Sequence, residues 1–159
     1  MRKTASLVMA LALVLALVGC GNSNSQLPEK KYSFSGENEE LQVYQGTAII
    51  GGEEETFNGG KLEIKGEGFS NLTEYTMTFY IPNGEDRHTI LSNTVQDTTD
   101  VTNLKEEEIG QITGQVLNTD MDESELTDNL YFELITTDES GETKTYTVPM
   151  EVKEVTTNK

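Results

Sequence analysis

The chain of 159 residues holds one cysteine, one histidine, three prolines and no tryptophan. Each scarcity excludes something. A single cysteine, Cys20, permits no internal disulfide, so any folded part must be held by its core alone. A single histidine, His88, leaves no His/Cys cluster of the kind that zinc or copper requires. It sits in the charged run Glu85-Asp86-Arg87-His88 without an identifiable partner set, and reads as an exposed strand residue. No Gly-x-Ser-x-Gly elbow, Ser-x-x-Lys or His-Glu-x-x-His occurs. Carboxylate pairs abound, so residue type alone admits a two-carboxylate glycosidase, but nothing picks one pair out and no tryptophan offers a sugar-stacking surface. An envelope hydrolase is therefore the weakest reading, and the chain is expected not to be an enzyme.

Positive charge is scarce as well. Eleven Lys and Arg face 28 Asp and Glu, a formal net charge of −17. A surface so acidic repels phosphate backbones and anionic headgroups, which removes nucleic acid from the partners considered. It also keeps an exported protein soluble beside a crowded anionic envelope.

Long apolar runs are limited to one. Arg2 and Lys3 precede an apolar stretch from Ala5 to Val18, too short to span a bilayer and followed by no basic stop-transfer pattern. That build is a secretory leader. Its end, Leu17-Val18-Gly19-Cys20, resembles the lipobox of bacterial lipoproteins. The resemblance implies that residues 1–19 are removed and that Cys20 carries a covalent diacylglyceryl lipid, becoming the first residue of the mature chain. It also accounts for an odd cysteine in an exported protein. Two acyl chains give stable anchoring where one would bind marginally. The expected location is the outer face of the cell membrane, and Gly21 suits a Gram-positive host, since the Asp that often marks inner-membrane retention in Gram-negative lipoproteins is missing.

Behind the anchor, residues 20–31 form the lipidated cysteine and a small, polar tether. Ten such residues span on the order of 18 Å. Residues 32–155 are expected to form one domain and 156–159 a short tail. The pattern in the domain is β throughout. Tyr75, Met77, Phe79 and Ile81 alternate with Thr76, Thr78 and Tyr80, and Leu62 and Ile64 alternate with Lys61, Glu63 and Lys65. Tyr146, Val148, Met150 and Val152 repeat the period near the C-terminus, where Pro149 demands an edge or a bulge. Leu130 to Thr136 has the composition of a more central strand. Weaker strands are read over 42–50 and 109–117. Pro82-Asn83-Gly84 and Asp138-Glu139-Ser140-Gly141 supply hairpin turns. The expectation is an all-β fold, an antiparallel β-sandwich of seven to eight strands of immunoglobulin-like kind, with an open barrel as the alternative.

Two segments fall outside the rhythm. Residues 92–108 read as a long polar loop with one helical turn over Leu104 to Glu108, and 118–129 as a strongly acidic loop. In the second, Asn118, Asp120 and Asp122 have the one-three-five spacing of a calcium loop, but Glu123 stands where the turn glycine belongs and Asn129 where a bidentate Glu is needed. A different calcium site using Asp120, Asp122, Glu123 and Glu125 stays open, and calcium is the one cofactor considered. Tyr32-Ser33-Phe34-Ser35-Gly36-Glu37, the run Phe57 to Gly66 and the C-terminal hairpin resemble small surface lipoproteins of Bacillus-type bacteria, with Leu41 where those carry a tryptophan. That resemblance implies no functional residue. The functional expectation is a non-catalytic binding or accessory module of the cell envelope, with a protein or wall polymer as partner. The alternative is a calcium-responsive binding module. A two-lobed solute receptor would need a longer chain.

Overall fold

The period-two pattern is realised as paired strands in a computed structural model, which describes residues 28–52, 54–96, 104–117 and 121–155. Eleven strands and one helix follow in order: β1 Lys30–Glu37, β2 Leu41–Ile50, β3 Glu55–Asn58, β4 Lys61–Ile64, β5 Leu72–Asn83, β6 Asp86–Gln96, β7 Glu106–Glu108, β8 Gln111–Gly114, α1 Glu123–Asn129, β9 Tyr131–Asp138, β10 Thr143–Pro149 and β11 Glu151–Glu154. They build two antiparallel sheets packed face to face, a β-sandwich. One sheet has four strands in the order β10-β9-β5-β6; the other has seven along β11-β1-β2-β3-β8, with β4 and β7 branching from β2. The strand number exceeds the seven to eight expected because several strands are only three or four residues long.

The branch has a local cause. β2 pairs with β4 over Leu41 to Tyr44 and with β3 over Thr47 to Ile49. Between the two halves Gln45 takes φ 60, and the register to β1 slips between Phe34 and Gly36. This bulge bends β2 enough to serve two short strands. Gly60, in the turn from β3 to β4, takes φ +71, and a Cβ there would sit 2.3 Å from the Tyr44 carbonyl oxygen. Only glycine fits such an approach.

Inward side chains of both sheets form one core. Phe79 of β5 is its hub, with ring centroids 5.0 Å from Phe57, 5.1 Å from Phe132 and 5.4 Å from Phe34. Edge-to-face and tilted contacts of this kind add to the ~1.5–3 kcal/mol that burying each ring contributes. The last strand pair ties the sheets covalently. β10 ends at Pro149, and after Met150 the chain continues as β11 in the other sheet. Pro149 therefore lies on an edge strand, as its missing N–H requires. β9 is flanked by β10 and β5, the interior position that its composition suggests.

Two expectations about the irregular segments are corrected. Leu104 to Glu108 forms no helical turn: residues 106–108 pair with β4, placing Lys61 opposite Glu108 and within 3.3 Å of both Glu106 and Glu108. Cross-strand charge pairing overrides the helical preference of Lys-Glu-Glu-Glu. Ser92 to Gln96 is likewise strand, the second half of β6. The acidic segment is also no plain loop, because α1 begins at Glu123. Asp122 caps it, accepting from the Ser124 N–H at 2.8 Å. Glu123 and Glu125 in the first turn suit the positive end of the helix dipole, and the fully buried Leu126 fixes α1 to the sandwich.

Candidate functional site

Lys30 opens β1. Beside it lies a cleft of about 720 Å³ with Ile50, Leu117 and Met121 as its apolar lining and Lys30, Glu55 and Glu123 as its charged one. Lys30 donates to Glu123, which also accepts from the Tyr32 hydroxyl at 2.9 Å. The Lys30 contact is the main reason that the Glu123 carboxyl titrates below its ordinary value, and burial followed by Glu123 pushes the Tyr32 phenol up. Glu55 is spent on the backbone. One of its carboxylate oxygens accepts from Val116 at 2.7 Å and Leu117 at 3.1 Å, the other from Gly51 at 3.2 Å.

The calcium candidates thus have separate duties. Asp122 caps α1, Glu123 holds Lys30 and Tyr32, and Glu125 accepts from Asn129 at 3.2 Å. Asp120, Asn118 and the lipidation residue Cys20 lie outside the described residues. Among the described residues, no three His, Cys, Asp or Glu side chains converge as a metal site would require, and no helix is long and apolar enough to cross a membrane. His88 is half-buried rather than exposed. Its Nε2 lies 2.8 Å from the Val116 carbonyl oxygen, and as that oxygen only accepts, Nε2 carries the proton. Asn93, also on the inward side of β6, donates to the Ile109 carbonyl at 3.3 Å. Together they join the free edge of the four-stranded sheet to the chain flanking β8. His88 is thus a structural clasp.

A surface of different character covers the outer face of the four-stranded sheet. The strand registers arrange its outward side chains in rows. One row runs Thr94, Thr76, Ile135, Thr145; the next runs Ser92, Thr78, Glu133, Thr147. A third holds Thr89, Tyr80, Tyr131 and Pro149. Cross-strand hydroxyls meet in pairs: Thr76 with Thr94 at 2.9 Å, Thr78 with Ser92 at 3.0 Å, and Thr137 with Thr143 at 3.4 Å.

The third row is more than a solvated strand surface. The rings of Tyr80 and Tyr131 stack at 5.7 Å, and the Arg87 guanidinium lies 5.0 Å from the Tyr80 centroid. Arg87 also donates to Glu133 at 2.8 Å, which leaves the Glu133 side chain only 13% exposed. Burial, with Glu133 next, raises the Tyr80 phenol against the opposing effect of Arg87. In a chain with 28 acidic residues, these three rows carry one carboxylate, which Arg87 neutralises, and the next row, Gln96, Glu74, Thr137 and Thr143, carries one more, which accepts from Gln96 at 2.9 Å. The signal was available in the alternation Thr76-Met77-Thr78-Phe79-Tyr80 and in Thr143-Lys144-Thr145-Tyr146-Thr147. What was missing was the register that sets those strands side by side. No protein family, curated protein or solved structure matches the chain.

Proposed function

We propose that this chain is a lipid-anchored, extracytoplasmic lipoprotein whose β-sandwich serves as a non-catalytic binding or accessory module of the cell envelope, with the outer face of the four-stranded sheet as its working surface. The observation that carries the reading is the charge-poor, hydroxyl-rich face crossed by the Arg87–Tyr80–Tyr131 stack. Solvated sheet faces of an acidic protein need no Arg–Glu pair laid over an aromatic stack; a rigid binding surface has use for both. The immunoglobulin-like kinship expected from strand spacing belongs to the same reading, because sandwiches of that kind often serve as display scaffolds. Cys20, lipidated, supplies the anchor, and the tether holds the domain within reach of its membrane.

The test is retention on isolated envelopes. The chain from Gly21 onward should bind them, and Thr145→Lys, which places a long cation on the β10 edge strand of the face, should sharply reduce retention. Thr47→Lys, on an exposed position of the other sheet, should leave retention intact. Equal loss from both variants, or from neither, refutes the assignment of the face.

A further inference from the structure

We infer that the ligand of this face is an uncharged, polyhydroxylated glycan strand, an inference that rests on the function proposed above. The first argument is charge. A chain with net charge −17 disfavours polyanions such as nucleic acids, phosphate polymers and acidic lipid surfaces, whereas a neutral polymer experiences no such field. A basic partner would be drawn to the denser acidic surfaces elsewhere; this face carries two carboxylates, Glu133 held by Arg87 and Glu74 accepting from Gln96 at 2.9 Å, and offers such a partner less.

The second argument is hydrogen-bond chemistry. A sugar hydroxyl both donates and accepts, and so does each Thr, Ser and Tyr hydroxyl on the face. In the Thr76–Thr94 and Thr137–Thr143 pairs one hydroxyl donates to the other, so the second retains its own proton and both retain free lone pairs for a ligand, while in the third pair Thr78 is buried and only Ser92 faces solvent. Arg87 keeps N–H groups beyond the one given to Glu133. Tyr80 and Tyr131 stack on each other, so their rings are engaged and their hydroxyls are the groups they bring to a ligand, which suits hydrogen bonding rather than ring stacking.

The third argument is rigidity. The polar groups stand on β-branched side chains and a clamped aromatic stack in a four-stranded sheet, so little side-chain freedom is lost on binding. Individual sugar contacts are weak, and preorganisation in rows is what lets many of them act together.

The experiment titrates the mature chain with neutral cello- and chito-oligosaccharides, following backbone amide resonances. Shifts confined to the strands Leu72–Asn83, Asp86–Gln96, Tyr131–Asp138 and Thr143–Pro149 are expected, with affinity unchanged from about 0.05 to about 0.5 M salt. Thr145→Lys should weaken binding about tenfold or more, and Tyr131→Phe, which keeps the stack, about threefold through the lost hydroxyl. Both variants should melt as the parent does. Shifts mapping elsewhere, or steep salt dependence, overturn the inference. Face-dependent retention on envelopes without oligosaccharide binding overturns the glycan while leaving the working surface standing. Loss of both overturns both.

Discussion

Gly46→Ala adds a single methyl group, and the structure places it where none fits. The new Cβ would lie 2.0 Å from Cε2 of Phe34, 2.4 Å from Cδ2 and 2.5 Å from Cζ. Phe34 cannot step aside, because its ring stacks on Phe57 at 4.9 Å and meets Phe79 edge-on at 5.4 Å. Overpacking a tight core costs about 1–3 kcal/mol, and an obstacle locked on two sides places the expected loss near the top of that range, at about 3 kcal/mol. For a domain of this size each kcal/mol corresponds to roughly 3–6 °C in melting temperature, so the variant should melt at least about 10 °C lower. Thermal and urea unfolding of the parent, Gly46→Ala, Phe34→Leu and the double variant form a cycle. In the Phe34→Leu background the ring is gone, and alanine should cost little, since it also restricts the unfolded chain. Additive losses would refute the reasoning, because they would mean that the harm comes from the β2 backbone rather than from the Phe34 ring.

Three further outcomes are expected. Glu55→Gln replaces a carboxylate that accepts three backbone N–H groups with an amide that has one accepting oxygen, so stability should fall by about 2 kcal/mol, with faster amide exchange at Val116 and Leu117 as the local readout. The Glu123 carboxyl titrates below its ordinary value of 4.5, so its contribution is complete above that pH and is lost as pH falls through the folded-state value. Glu123→Gln should therefore melt lower than the parent near neutrality, and the difference should shrink below about pH 4, with parallel curves across the whole range counting against this account. Cys20→Ala should release the chain from cell membranes into the medium without changing its melting temperature, and membrane retention of that variant would refute the anchor assignment.

Much of the fold was legible because β-structure writes itself at period two. Tyr75 to Ile81 revealed its buried face, Leu130 to Thr136 had the composition of the interior strand it is, and Pro149 announced an edge. The failures share a cause, which is that short elements are decided by tertiary partners. Glu106 to Glu108 is a strand only because Lys61 and β4 lie alongside, a non-local fact. α1, at seven residues, is too short to show a helical period, yet Asp122-Glu123-Ser124-Glu125 carries the Asp-x-x-Glu signature of a helix start, and the calcium spacing drew attention away from it. His88 has the sequence context of an exposed residue because its acceptor is a backbone carbonyl 28 residues further on. The binding face was the least legible of all. Threonines in strands are ordinary, and only registers across four strands show that they stand together.

The geometry of that face bears on how a ligand would lie. Its strands are about 25–40 Å long at ~3.3 Å per residue, and a polymer can either follow them or cross them. Crossing them is the direction in which hydroxyls succeed one another at the ~4.8 Å strand spacing, whereas along any one strand the outward positions recur only every second residue. The closest spacing of polar groups thus runs across the strands, and a glycan bound along it should shift amides on all four strands at one level of the sheet. Shifts running the length of a single strand would show the opposite orientation.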